Sequence, residues 1–256
     1  MKKFKVRCSA LGHICTGSNG ITEKQKETIA TLQAKDKITD KQQITLDELI
    51  HKRDNPVLPT GAKTYCEDWL KGQLLDYRTI FSNKYTQKGH IMEDESLDFI
   101  AEHLGFGMLI KNEEYLSNEY IDGTPDVRLK QLIIDVKNSW DASTFPMFES
   151  EVPKNDYYWQ LMGYMWLDDK PSSKLIYTLM DTPEHLIERE ARWYSISQGF
   201  DELEDDIYKM FLKNMTYKNI DPKYRIKVFE VERNEDDIQL IKDRVIQCRE
   251  YIKTLL

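Results

Sequence analysis

Residues 121–140 read IDGTPDVRLKQLIIDVKNSW. A Pro-Asp step is followed by an aliphatic run that Asp135 and Lys137 interrupt. A buried strand carries an unpaired carboxylate or ammonium only at a cost, because each charge loses its hydration. Side chains alternate along a strand. In LIIDVK, Leu132, Ile134 and Val136 therefore share one face, and Ile133, Asp135 and Lys137 share the other. The two charges point the same way at the end of the strand. Asp126 follows Pro125 where a neighbouring strand would begin, and a hairpin through RLKQ brings it to Asp135. Converging carboxylates repel unless they are protonated or bridged by a cation. Hard divalent cations prefer oxygen donors, so Mg²⁺ or Mn²⁺ is the natural filling.

Helical periodicity places a third acid. In KGHIMEDESLDFIAEHLG (88–105), a helix ending at Gly105, Glu93 projects within about 40° of Leu97, Ile100 and Leu104. It lies on the stripe that faces the core, whereas Glu95 points to solvent. Gly89 is read as the helix start, a place of close approach for backbone or nucleic acid. In DYYWQLMGYMWLDD (156–169), a buried helix, Tyr157, Gln160, Tyr164 and Leu167 share a face. A buried Gln must find partners. Gln160 is expected to hold a ligand phosphate or base, or to orient Lys137.

Outward from these segments, residues 4–20 read as a short extended piece and a loop, and 21–53 as two exposed amphipathic helices, the second capped by Thr39 or Asp40. TYCEDWLKGQLLDYRTIF (64–81) suits another helix starting near Thr64 or at Pro59-Thr60. Strands are expected near 107–111 and 117–121, then at TPDVRL, QLIIDVKNSW, KLIYTLMD and RIKVFEVE. Residues 142–155 form a loop, 182–215 are helical with a break near Gly199, and Asn234 caps a closing helix. Strands both adjacent and separated by helices give an α/β fold with a mixed sheet and helical additions.

The 256 residues suffice for one large core or two small ones, and the net charge of −8 argues against broad wrapping of nucleic acid. A local basic groove, or phosphate bridged to carboxylate by a divalent ion, remains compatible with it. Cys8, Cys15, Cys66 and Cys248 are scattered without a C-x-x-C pair, so plain reduced thiols are expected rather than zinc or disulfides. The basic N-terminus lacks an apolar stretch long enough for a signal peptide, and no window approaches a membrane span. A soluble cytoplasmic protein is the expectation.

The order helix-Glu, Pro-Asp, Asp-x-Lys, Gln-x-x-x-Tyr resembles the PD-(D/E)xK nuclease superfamily. The last element resembles the branch of RecB-type nuclease domains and lambda-exonuclease-like phage recombination nucleases. The elements here are KGHIMEDE (Gly89, Glu93), GTPD (Gly123, Pro125, Asp126), IIDVK (Asp135, Val136, Lys137) and QLMGY (Gln160, Tyr164). RCSALG, with Arg7 and Ser9, is similar to that group's early Arg/Ser phosphate-contact segment. The resemblance covers about residues 85–180 and the N-terminal segment loosely. It implies a restriction-endonuclease-like core, a central mixed sheet flanked by helices, in one nuclease domain. That domain comprises an N-terminal segment with helical additions (1–84), a catalytic core (85–180) and a C-terminal part of helices and a strand (181–256). It further implies Mg²⁺-dependent phosphodiester hydrolysis, with Glu93, Asp126, Asp135 and the Val136 carbonyl on the metal. Lys137 would position or help deprotonate the attacking water, Gln160 would organise the site, and Tyr164 would stack or hydrogen-bond beside it. Relatives of this kind digest one strand of duplex DNA from its end. They commonly work with a single-strand annealing protein, and some form ring-shaped trimers. A related branch carries an iron–sulfur cluster with three clustered downstream cysteines; only Cys248 lies downstream here, so no cluster is expected.

Plainer readings stand beside these. A lone D-x-K is usually an edge-strand ion pair, and the case rests on four elements in order. Gln160 alone is a satisfied core amide, and Tyr157, Trp159, Met162 and Trp166 are core. His13 and His90 are surface residues, with His90 also a DNA contact by position. The lysines of 23–53 form a solvated face or clamp duplex phosphates, and Arg7, Lys71 and Arg78 are similar candidates. The rival functions are an endonuclease, a single-strand nuclease, a silent DNA-binding module and a small-molecule metalloenzyme. The all-carboxylate, histidine-poor site disfavours the last.

Overall fold

Ile133 and Ile134 are both fully buried, as expected for a strand covered on two faces. The computed structural model describes residues 2–17, 23–54, 57–77 and 82–256. In chain order these hold β1 (Val6–Arg7), α1 (Leu11–Cys15), α2 (Glu23–Gln33), α3 (Asp40–Asp54), α4 (Thr60–Leu74), α5 (Lys84–Ile91) and α6 (Glu93–Leu104). There follow β2 (Leu116–Ser117), β3 (Ile121–Gly123), β4 (Val127–Arg128), β5 (Leu132–Asn138), α7 (Asn155–Leu167) and β6 (Ser172–Thr178). α8 (Glu184–Ser197), α9 (Asp205–Asn214), β7 (Ile226–Glu232) and α10 (Glu235–Thr254) complete the chain.

The main sheet has the order β4-β5-β6-β7 and is mixed: only β5 and β6 run parallel. A smaller sheet, β1-β3-β2, pairs β1 parallel to β3. The two faces of β5 meet different cores, following the alternation in its sequence. Ile133, Leu175 and Phe229 pack with α1, α4, α7 and α10 residues such as Leu11, Cys66, Leu161 and Val245. Ile134 and Ile176 pack with Leu97 and Ile100 of α6. α2 and α3 form a hairpin around Ile29, Leu32 and Leu46, with their lysines in solvent. Among the described residues no helix is long and apolar enough to cross a membrane.

Several caps lie where the side chains predict them. Thr39 and Gln42 exchange side-chain and backbone hydrogen bonds at the start of α3. The Asn234 side chain accepts from the backbone N–H groups of Asp236 and Asp237, and Gly105 closes α6 at φ 70°.

Other expectations are corrected. Residues 11–15 are a short helix, not loop. The helix expected over 64–81 runs from Thr60 to Leu74; Arg78 and the end of that span lie outside the described residues, as do residues 18–20 of the N-terminal loop. No strand forms over 107–111, where Gly105 and Gly107 both take left-handed φ and only Leu109 is buried. The strand expected near 117–121 is split: Ser117 ends β2, Ile121 begins β3, and residues 118–120 connect them. The helix over 88–105 is two helices that meet at Met92 (φ −94°, ψ 4°). Each has its own anchor. The fully buried Lys88 donates to the carbonyls of Trp140 and Met180, while α6 lies on β5. Gly89 therefore sits in the last turn of α5 rather than at a helix start, and a Cβ there would meet open space.

Candidate active site

The hairpin of β4 and β5 sets the centre of the site. Val127 pairs with Ile134 and Arg128 with Ile133, so the next position outward sets Asp126 opposite Asp135. The Asp126 Oδ2 accepts from the Val136 N–H at 2.7 Å. Asp135, 1% exposed, lies 2.5 Å from the Lys137 Nζ through its Oδ2. Both belong to the β5 face that looks at α7, and α7 supplies the remaining partners. The Gln160 Nε2 donates to the Asp135 Oδ1 at 3.3 Å and to the Tyr164 Oη at 2.9 Å. Gln160 thus fastens Asp135, not Lys137. Lys137 instead lies over the Tyr157 ring, 5.0 Å from its centroid.

Glu93 opens α6 and is partly buried, as its place on the Leu97–Ile100 stripe requires. Its Oε2 is 2.8 Å from the Lys111 Nζ. Lys111 comes from the irregular segment after α6, which Asn112 clamps to the Pro-Asp step. The Asn112 N–H donates to the Asp126 carbonyl at 2.7 Å, and its Nδ2 to the Pro125 carbonyl at 3.0 Å. Gly123 is required where β3 passes the site: a Cβ there would lie 2.9 Å from the Tyr164 Cε1 and 3.1 Å from the Cys8 Cβ.

The charges answer one another. Burial pushes the Asp126 carboxyl up to about 7; Asp135 and Glu93 add to the rise, and Lys137 and the Val136 N–H oppose it. Burial alone would depress Lys137, but Asp135 and Asp126 outweigh it and hold the ammonium above the ordinary lysine value. The hydrogen bond to Glu93, with Asp94 and Asp126 behind it, raises Lys111. Burial, then Asp135, raises the Tyr164 phenol.

Of the residues singled out from sequence, Asp126, Asp135, Val136, Lys137, Gln160 and Tyr164 are joined directly, and Glu93 stands near enough to act on Asp126. Arg7 and Ser9 flank Cys8, which packs at Gly123 and Gly163; both side chains are exposed beside the site helix. His90 is exposed on the last turn of α5, one residue after Gly89. Lys71 pairs with Asp68 on the solvent face of α4. Sequence reasoning missed Lys111 and Asn112, which belong to no periodic element, and treated Tyr157 as core alone.

The donor set suits a hard divalent ion: three carboxylates, with no thiol or imidazole among them. Burial first, and then the neighbouring carboxylates, raise the Asp126 proton affinity, and Lys137 with the Val136 N–H offsets only part of the rise. Among the described residues, no three potential ligands are drawn together tightly enough to hold a metal as they stand. Glu93 and Asp135 each face a lysine instead. The residues fit the ion chemically, and the Glu93–Lys111 pair has to open for Glu93 to join.

No protein-family model and no curated protein matches the chain. Solved structures do. The chain is similar to a phage-related exonuclease from Haemophilus somnus 129PT, with 26% identity and a TM-score of 0.67 over 99% of this chain and 96% of that one. It is also similar in fold to the alkaline exonuclease LHK-Exo from Laribacter hongkongensis, with 13% identity and a TM-score of 0.54 over 98% and 88% of the two chains. A complex of LHK-Exo with dAMP matches with 14% identity and a TM-score of 0.51 over 98% and 91%. In fold the chain is similar to these phage-related and alkaline exonucleases, in keeping with the lambda-exonuclease-like PD-(D/E)xK pattern that its motif order resembles.

Proposed function

We propose that the chain is a divalent-metal-dependent DNA exonuclease that hydrolyses phosphodiester bonds at duplex ends. The observation that carries this reading is the β4–β5 hairpin, which sets Asp126 against Asp135 and Lys137 with Gln160 and Tyr164 behind them. Similarity to a phage-related exonuclease along nearly the whole of both chains supports it and supports treating residues 1–256 as one nuclease domain.

On this reading Glu93, Asp126, Asp135 and the Val136 carbonyl hold Mg²⁺ or Mn²⁺. The ion supplies Lewis-acid stabilisation of charge on the scissile phosphate and lowers the pKa of water beside it. Asp126 stays in place through the Val136 N–H, so its second oxygen is free to ligate. Lys137, held by Asp135 and the Tyr157 ring, donates to the attacking water or to a phosphate oxygen. Gln160 and Tyr164 fix the rotamer of Asp135. Arg7 and Ser9 contact phosphate from the exposed segment next to α7, and Gly89 and His90 flank the duplex from the end of α5. A single-strand annealing protein as partner, a trimeric ring and a cytoplasmic location, the host's if the chain is phage-encoded, complete the proposal.

The test is duplex DNA labelled at either terminus, incubated with Mg²⁺, beside covalently closed circular DNA. Progressive loss of label from linear DNA only is expected. Cutting of the closed circle would make the chain an endonuclease, and no cutting of any substrate would make it a binding module. Asp126→Ala and Lys137→Ala should each lower the rate at least 100-fold while the far-ultraviolet circular dichroism is unchanged. Parental rates in either variant would refute the site.

A further inference from the structure

A cleft of about 370 Å³ opens beside the carboxylates, between β4, the segment carrying Lys111 and the turn from α7 into β6. Lys111, Arg128 and Lys170 line it, against the single carboxylate of Asp168. Within the lining three cations meet one acid, in a chain with 36 basic and 44 acidic residues; Glu93 and Glu114, which pair with Lys111 and Arg128, lie outside it. β4 forms the floor. Asp126, just before that strand, and Arg128 at its end are two apart in the chain and share a face about 7 Å from one another. Lys111 links the two places, because its ammonium is the one that meets Glu93. We propose that this cleft is a backbone-phosphate subsite for a nucleic-acid strand, held by Lys111, Arg128 and Lys170 and continuous with the carboxylate cluster. The inference rests on the nuclease reading above and adds where the strand next to the scissile bond is gripped.

The rival is a structural ion-pair network. Arg128 bonds both Glu114 and Asp168, and Lys170 lies 3.4 Å from Asp168 and 3.3 Å from the Lys130 carbonyl. Two features favour the phosphate. Among the described residues, the buried Arg128 Nε has no hydrogen-bond acceptor, so the guanidinium is not satisfied by its present partners. Glu114 is well exposed, so its hold on Arg128 is screened by water and weak, and a phosphate displaces it readily.

Fluorescence anisotropy of an end-labelled duplex, in chelator to prevent cleavage and across a salt series, separates the two. Lys170→Met, Lys111→Gln and Arg128→Gln should each weaken binding roughly tenfold and lower the slope of log affinity against log salt by about one. Lys209→Met, which removes an exposed lysine on α9, should change neither. Parental affinity and slope in Lys170→Met and Lys111→Gln would overturn the subsite and leave the ion-pair network; so would an equal loss in Lys209→Met. If Arg128→Gln fails to fold, the two lysine variants decide. A parent that binds duplex through these residues but never cuts it keeps the subsite and sinks the nuclease reading. A parent that binds duplex neither in chelator nor with Ca²⁺ in place of Mg²⁺ sinks both.

Discussion

Asp126 owes its proton affinity to its burial and then to its neighbours, and that affinity has a sign that can be measured. Its carboxyl is pushed up to about 7, chiefly by burial and then by Asp135. A carboxyl whose folded value lies above its unfolded value stabilises the fold only while it is protonated. That contribution is complete below about pH 4 and is lost as pH rises toward 7. Without metal, the chain should therefore lose on the order of 2 kcal/mol of stability over this window, after discounting for partial exposure of the side chain. Asp126→Asn should remove this loss and be the more stable protein at pH 8 in chelator. A divalent ion competes with the same proton, so apparent metal affinity should rise up to about tenfold per pH unit below 7 and level off above it. Thermal midpoints with and without Mn²⁺ at pH 6, 7 and 8 measure both effects. A Mn²⁺ shift as large at pH 6 as at pH 8 would show that Asp126 is not a ligand.

Elements meet at this site with little room, and Gly123 shows how little. A methyl group there would press on the Tyr164 ring and on Cys8 at about the same distance, so relief needs both to shift. Gly123→Ala should cost about 1–3 kcal/mol of stability by overpacking and should slow cleavage through the displaced Tyr164–Gln160–Asp135 chain. Chemical denaturation and initial rates on the same preparation check it; unchanged values for both would mean that β3 and α7 separate freely. The same packing explains what was legible in the sequence. The period of two in residues 132–137 placed Asp135 and Lys137 on one face, and β5 keeps that order because each face has its own core. The Asn234 cap and Glu93 on its apolar stripe follow from local rules as well. Lys111 was not legible, because it sits in a segment without period whose path is set by Asn112 bonding to the distant Pro125–Asp126 backbone. The bend at Met92 was hidden for a similar reason. No Gly or Pro stands at Met92, and the two helices are anchored separately, α5 through Lys88 on the carbonyls of Trp140 and Met180, far along the chain, and α6 on β5. Two-residue strands such as β2 and β4 are likewise held by tertiary pairing rather than by their own propensity.

At the scale of the whole molecule, a chain of net charge −8 is asked to bind a polyanion. Long-range attraction cannot supply the affinity, so local cations and a bridging ion must. Divalent salts usually weaken protein–DNA complexes, because the ions compete with lysine and arginine for phosphate. Here the opposite is expected at low concentrations. Glu93, Asp126 and Asp135 present three carboxylates against Lys111 and Lys137, and an ion among them turns a repulsive surface into one that shares phosphate oxygens. The coupling is reciprocal: whatever factor Mg²⁺ adds to duplex affinity, duplex must add to Mg²⁺ affinity. Lys137→Met, expected not to cut, allows the measurement. At fixed ionic strength, millimolar Mg²⁺ should raise its duplex affinity severalfold by anisotropy, and duplex should enlarge the Mg²⁺-induced rise in thermal midpoint. Adding Asp126→Asn to that background should abolish both gains. If Mg²⁺ weakens duplex binding equally in the two proteins, the carboxylates do not reach the phosphate through a shared ion, and the charge pattern around β4 and β5 has only a structural part to play.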